Sequence, residues 1–258
     1  MQVNWVITDA DVTAVRNLVR DQAAHQFVLE RQRKNVDLWT HPRLDKPHVW
    51  KRSLACMLSS QQRSGPGSAL HAFLKLHPFP LTYVACRKNR DDLAAYALAA
   101  MRSAGGIRQV NRRSQWIEAN FLDWFEGSGW SKLHAAATEL LGCRRQKADP
   151  VHSAIERKAA AVAAQLDGFG PKQSRNLWQT LGLTRYEIPL DSRLTTWLNA
   201  NVLDAPLSGA GLADETYYRH IMGAIQALCA RADVLPCIFD AAVFSLGNPD
   251  WPVDAEIW

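Results

Sequence analysis

The sequence predicts an all-α protein. Three observations lead there: apolar residues recur at helical spacing along most of the chain, alternating strand patterns are nearly absent, and the breaks are short turns marked by glycine and proline. The chain has 258 residues, 47% of them apolar and 21% charged, which is enough to bury a sizeable core. About ten to twelve helices are expected.

Taken in order, helical periodicity covers Trp50 to Ser60, Asp91 to Arg102, Arg113 to Phe125, Lys132 to Leu141 and Tyr217 to Ala230. In VHSAIERKAAAVAAQL, the residues Val151, Ile155, Ala159, Val162 and Leu166 fall on one face of a helix. The best strand candidate, HPFPLTYV at 77–84, is spoiled by its own prolines. Turns are expected at RSGPGS (63–68), SAGG (103–106), EGSG (126–129), KADP (147–150) and DAPLSGAG (204–211). All are too short to link independent domains, so the helices should pack as one unit.

Charge is unevenly spread. The net charge is +5, but residues 200–258 carry Arg219 and Arg231 against eight carboxylates, so that segment is −6 and residues 1–199 are +11. A basic body of this kind suits a polyanionic partner, because Lys and Arg that neutralise phosphates release counterions. No apolar run approaches the roughly 20 residues needed to span a membrane, and no secretory signal opens the sequence, so a cytoplasmic location is expected. The five cysteines, Cys56, Cys86, Cys143, Cys229 and Cys237, form no CxxC pair, and the eight histidines are scattered without an HExxH. No metal cofactor is expected.

The stretch QLDGFGPKQSRNLW at 165–178 reads as a tight turn between two helices. Gly168 and Gly170 permit positive φ and close backbone approach, Pro171 suits a first helical position, and Gly182 suits a helix end. The second helix of this hairpin, spanning about 151–182 with the first, presents free N–H groups at its start that attract an anion such as a DNA phosphate. Lys172 lies in that first turn, where the helix dipole disfavours a cation; it either touches phosphate or serves as a neutral amine nucleophile. Nineteen residues later, Asp191 in EIPLDSR stands at the start of another helix, as a cap or as the carboxylate that a sugar cation requires.

The hairpin LDGFGPKQS followed by PLDSR resembles the lysine and aspartate signature of the helix-hairpin-helix DNA glycosylases, a superfamily that includes endonuclease III and the 8-oxoguanine glycosylases. Upstream, WKRSLACMLSSQQRS from Trp50 resembles its early helix, which ends in a glutamine-containing turn that probes the duplex, and GGIRQVNRRSQWIEANF at 105–121 resembles the helix preceding the central part of its barrel. The likeness spans about residues 50–200, and the ends match by helical pattern alone. The chain lacks the four-cysteine iron–sulfur loop of endonuclease III, and the short IPLDSR form brings it closer to the compact bacterial and archaeal 8-oxoguanine branch.

The resemblance implies a bilobed helical unit, with one lobe from about 1–52 plus 200–258 and a helical barrel carrying the hairpin from about 53–199. It implies that Lys172 attacks C1′ of a flipped nucleoside while Asp191 stabilises the developing positive charge, giving base excision and strand nicking. Expected backbone contacts are Gly168, Gly170, Lys172, Gln173, Arg175 and Arg193. Gln61 or Gln62 would fill the space the base leaves, or would face solvent at a helix end. In PCIFDAAVFSLG, Asp240 and Phe244 share a helix face and resemble the acidic and aromatic pocket residues of the archaeal branch, an internal cap being the other role for Asp240. The expected partner is double-stranded DNA bearing a damaged or modified base, bound by a nucleoid-associated monomer with no cofactor beyond a structural monovalent cation at the hairpin. An oxidised purine such as 8-oxoguanine is the leading substrate. A hypermodified pyrimidine, as in phage DNA, would make the protein a defence factor, and a non-catalytic DNA-binding hairpin protein is the alternative of another class.

Overall fold

The computed structural model describes residues 5–37, 42–203, 206–249 and 251. The described residues hold thirteen α-helices and no strand: α1 (Asp9–Gln22), α2 (Gln26–Arg31), α3 (Lys46–Ser59), α4 (Ala69–Leu74), α5 (Tyr83–Lys88), α6 (Leu93–Ala104), α7 (Val110–Asn120), α8 (Gly129–Arg144), α9 (His152–Ala163), α10 (Pro171–Thr180), α11 (Ser192–Asn201), α12 (Glu215–Ala232) and α13 (Pro236–Leu246). Wider π-helical turns continue α2 over Gln32–Val36 and α7 over Phe121–Glu126. Asp204 and Ala205, which open the turn expected at 204–211, lie outside the described residues, as do both extreme ends of the terminal lobe.

Local chemistry sets several boundaries. The helix expected from Trp50 begins at Lys46, because Asp45 accepts from the His48 backbone N–H at 2.9 Å and Pro47 fits the first turn. Around HPFPLTYV the chain turns and enters α5, capped by Thr82. The face of α9 is rotated from its expected setting: Val151 is exposed and Ile155 half-buried, while His152 and Glu156 join Ala159, Ala160 and Ala163 inside. A carboxylate takes an inward position because it has partners there, the backbone N–H groups of Arg185, Tyr186 and Glu187 at 2.7–2.8 Å.

Two cores divide the molecule. One gathers α3 to α10 around Trp50, whose ring meets Phe121 and Phe125 edge-on at 5.1 and 4.9 Å and whose Nε1 donates to the Leu81 carbonyl. The other joins α1 and α2 to α11, α12 and α13. The crossing falls between Leu183, which belongs to the first core, and Ile188, which belongs to the second. Val49 and Trp50 already pack in the middle core, and α11 buries Leu194 and Leu198 in the terminal one, against α13. Helical periodicity specifies that a face is buried but not which core receives it.

The hairpin is α9, the turn 164–170 and α10. Gly168 has φ +82°, and a Cβ there would come within 2.6 Å of the Trp116 ring, so both conformation and space call for glycine. Asn120 fixes the turn from outside, donating to the Asp167 carbonyl at 2.9 Å and accepting from its N–H at 2.8 Å. Leu177 and Trp178 anchor α10 in the core at full burial. Truncating such a leucine to alanine costs about 2–5 kcal/mol.

Candidate active site

Where the two cores meet, a cavity of about 530 Å³ is lined by residues from six places in the chain, among them Arg31, Gln61, Lys172, Asp191, Asp240 and Phe244. Of the residues singled out in the sequence, Gln62 and Arg193 also line it. The nucleophile candidate, the carboxylate, the probing glutamines and the pocket pair thus share one space.

Lys172 is the second residue of α10, half-buried, after an exposed Gly170 that occupies the N-cap position. Asp191 caps α11 in extended conformation; its Oδ1 accepts from the N–H groups of Arg193 (2.9 Å) and Leu194 (3.2 Å). Its Oδ2 accepts from Arg193 Nε at 2.9 Å and from Nη2. Burial pushes this carboxyl up, but the charge and hydrogen bonds of Arg193, followed by the charge of Lys172, hold it below the usual range. Asp191 is therefore both cap and charge: two backbone bonds fix its direction while two cations keep it ionised.

Asp240 behaves in the opposite way. Burial, opposed by Arg31 and reinforced by Asp191, raises it to about 6. Gln179 Nε2 donates to its Oδ2 at 2.8 Å. Arg31 is 2% exposed, donates through Nη1 to the Gln179 carbonyl at 3.1 Å, and its Nε has no partner among the described residues. One turn beyond Asp240, Phe244 stacks on Phe27 (centroids 4.1 Å, 20°) and meets Trp251 edge-on at 5.3 Å. The Arg193 guanidinium lies 4.2 Å from the Phe244 ring centroid.

Gln61 has a left-handed backbone, φ +56°, and so does Gln109 facing it, φ +54°. Gln109 Nε2 donates to Gln61 Oε1 at 2.9 Å, Arg108 N to Gln62 Oε1 at 3.0 Å, and Arg108 Nη1 to the Gln61 carbonyl at 3.2 Å. The turn after α3 and the loop before α7 thus form one platform at the cavity mouth. Such conformations in residues other than glycine carry a local cost that the surroundings must hold in place.

Two expected backbone contacts stand elsewhere. Arg175 is 1% exposed and paired with Glu187 at 2.7 Å and Glu215 at 2.8 Å, so its charge is spent inside the protein. Gln173 is 4% exposed, with Nε2 on Ser59 Oγ at 3.5 Å and Oε1 accepting from Asn176 at 3.2 Å. Gln173 faces α3 of the first core, and Arg175 faces the connector from α10 to α11 and α12 of the second. Sequence reasoning missed Arg31, Asn176, Phe27 and the Arg108–Gln109 loop. Only the last had a local signal, the Gly-Gly pair before it.

No cluster of three or more His, Cys, Asp or Glu among the described residues could hold a metal, and the five cysteines are free. At the hairpin turn, the Leu166 carbonyl accepts from the Phe169 N–H at 3.1 Å and the Asp167 carbonyl from Asn120 Nδ2 at 2.9 Å. No helix among the described residues is long and apolar enough to cross a membrane.

No family model matches the sequence, and no curated protein matches it. Solved structures share its fold. The 8-oxoguanine DNA glycosylase of Thermotoga maritima aligns over 93% of this chain and 99% of its own, at TM-score 0.64 and 13% identity. That of Methanocaldococcus jannaschii aligns over 93% and 94%, at TM-score 0.59 and 8% identity. The chain thus has the all-helical fold of these compact bacterial and archaeal glycosylases.

Proposed function

We propose that this protein is a DNA glycosylase with strand-nicking activity, acting on an oxidised purine. The observation that carries the reading is that Lys172 and Asp191, both at helix starts, line one cavity large enough for an extruded base. The fold shared with two proteins that are 8-oxoguanine glycosylases supports the class of reaction.

In this reading Nζ of Lys172, once its ammonium proton has passed to solvent, attacks C1′ as the C1′–N bond to the base breaks. The bonding pair leaves with the base, which takes up a proton. Asp191, held ionised, faces the positive charge that builds on the sugar and accepts the proton that Nζ sheds. The C1′–O4′ bond then opens, with O4′ taking up a proton, to leave an imine that acidifies the C2′ hydrogen; loss of that hydrogen expels the 3′ phosphate and cuts the strand. The platform of Gln61, Gln62 and Gln109 fills the gap in the duplex, offsetting part of the few kcal/mol that extrusion costs. Gly170 and the first turn of α10 grip a backbone phosphate, and Arg193 leaves Asp191 to do the same.

The Asp240 carboxylate accepts from an N–H on the base edge, and Arg31 beside it donates to a carbonyl oxygen. Guanine oxidised at C8 has N–H at N7, where guanine has a lone pair, so an ionised carboxylate favours the oxidised base. Phe244 supplies the stacking face once Arg193 moves.

Borohydride reduction during incubation with a duplex carrying 8-oxoguanine opposite cytosine tests the reading. A covalent protein–DNA adduct that Lys172→Gln removes is expected. An adduct with abasic DNA but none with 8-oxoguanine would move the substrate to another base, such as a modified pyrimidine; no adduct with either would leave a DNA-binding protein without chemistry.

A further inference from the structure

Arg175 and Tyr218 line no part of the cavity, yet together they touch the chain beside both of its reactive residues. Arg175 is 1% exposed and Tyr218 is fully buried. Arg175 Nη1 donates to the Pro171 carbonyl at 3.0 Å, one residue before Lys172. Its Nε donates to Glu187 at 2.7 Å, within the connector that leads from α10 to α11. Its Nη1 and Nη2 reach Glu215 at the start of α12, at 3.1 and 2.8 Å. The guanidinium lies 4.4 Å from the centroid of the Tyr218 ring.

The Tyr218 hydroxyl completes the path. It donates to the Ile188 carbonyl at 2.8 Å and accepts from the Leu190 N–H at 2.6 Å, one residue before Asp191. Both backbone groups are buried, so losing the hydroxyl would leave each unpaired and let that part of the connector move. A planar guanidinium suits the other half of the path, because its fixed fork holds several acceptors in one geometry and stacks on an aromatic face. The rest of the connector is pinned separately. Glu156 accepts from three consecutive N–H groups, and Glu187 also meets Arg157 at 3.4 Å and Gln226 at 3.3 Å.

We infer that Arg175 and Tyr218 are positioning residues: they set the separation and direction of Lys172 and Asp191, and so the rate of the step those two share. This rests on the reading of Lys172 as the nucleophile and Asp191 as its carboxylate. A displacement of about 1 Å in such a pair can cost roughly a hundredfold in rate. A network that only stabilised the fold would change how many molecules are folded, and leave the rate of each folded molecule alone.

Tyr218→Phe separates the two roles, since it keeps the ring, its packing and its contact with Arg175 and removes the hydroxyl. The probe is a duplex with a single abasic site, which needs Lys172 and Asp191 but no base recognition. Under single-turnover conditions with borohydride, the amplitude of the adduct reports the active fraction and the rate constant reports the chemistry; a titration gives the Kd for DNA. The expected result is a rate constant per active molecule lower by roughly tenfold or more, with Kd within twofold of wild type. Arg175→Lys, which keeps the charge and loses the fork, should slow the same step, and it carries the test alone if Tyr218→Phe does not fold. An unchanged rate constant with a smaller amplitude overturns the inference and leaves the reading of the site intact. No adduct in the wild-type protein overturns both.

Discussion

The two walls of the cavity are built by different means. The wall that carries Lys172 and Asp191 is held by directional polar contacts, with Arg175, Glu187, Glu156 and Tyr218 each bonded to the backbone or to one another at 2.6–3.0 Å. The opposite wall, with Asp240 and Phe244, is held by ring packing of Phe27, Phe244 and Trp251 and by one hydrogen bond that the Gln179 amide donates to Asp240. Hydrogen bonds fix angle and distance, whereas ring contacts tolerate sliding. The first wall therefore suits chemistry on a sugar that every nucleotide shares, and the second suits recognition of one base among several.

Substitutions should separate the walls by substrate. The largest effect belongs to Lys172→Gln, which is expected to abolish the borohydride adduct with both abasic and base-bearing DNA while a gel-shift titration still detects binding. Asp191→Asn should follow, with a fall of roughly a hundredfold or more in the single-turnover rate on both substrates. Asparagine caps helices about as well as aspartate, so thermal melting should change little and the loss should lie in the charge. Survival of full activity in Asp191→Asn would break the division at its strongest point.

On the second wall, Phe244→Ala should slow base excision by roughly tenfold, the equivalent of ~1.4 kcal/mol of stacking, and leave abasic-site cleavage near wild type. Asp240 adds a pH signature. A carboxyl raised to about 6 takes up its proton as pH falls through that value, while Asp191, held low, stays ionised. Base excision should therefore lose rate below about pH 6, and that limb should vanish in Asp240→Asn and be absent for abasic DNA in either protein. The smallest effect is expected from Arg193→Ala. Its side chain is 43% exposed and pairs with Asp191 across two residues, so fold stability should shift by less than about 1 kcal/mol in a denaturant titration.

The two walls also differed in how far they could be read from sequence. Lys172 and Asp191 sit in short segments whose glycines and prolines fix the local backbone, so their helix-start positions followed from neighbours within a few residues. Asp240 and Phe244 could be placed on one face of a helix, but not against Arg31 and Phe27, because those contacts join α13 to α2 across most of the chain. Arg175 shows the same limit on the first wall. In KQSRNLW it stands among polar residues and reads as surface, and its burial depends on Glu187, Glu215 and Tyr218, which lie 12 to 43 residues away. The short helices α2, α4 and α5 each have six residues, too few for a periodic pattern to declare itself. The place of α11 in the terminal core could not be read from the sequence, because its apolar face is one that either core would accept.

Every residue from Leu177 to Leu190 is buried. A segment of that kind offers no bulge in which to hide an added residue and no loop from which to lose one, and a protease finds nothing in it to grip. The interval from Leu177 to Leu190 is therefore a fixed length of chain: inserting a single glycine anywhere in it would push Lys172 out of register with Asp191.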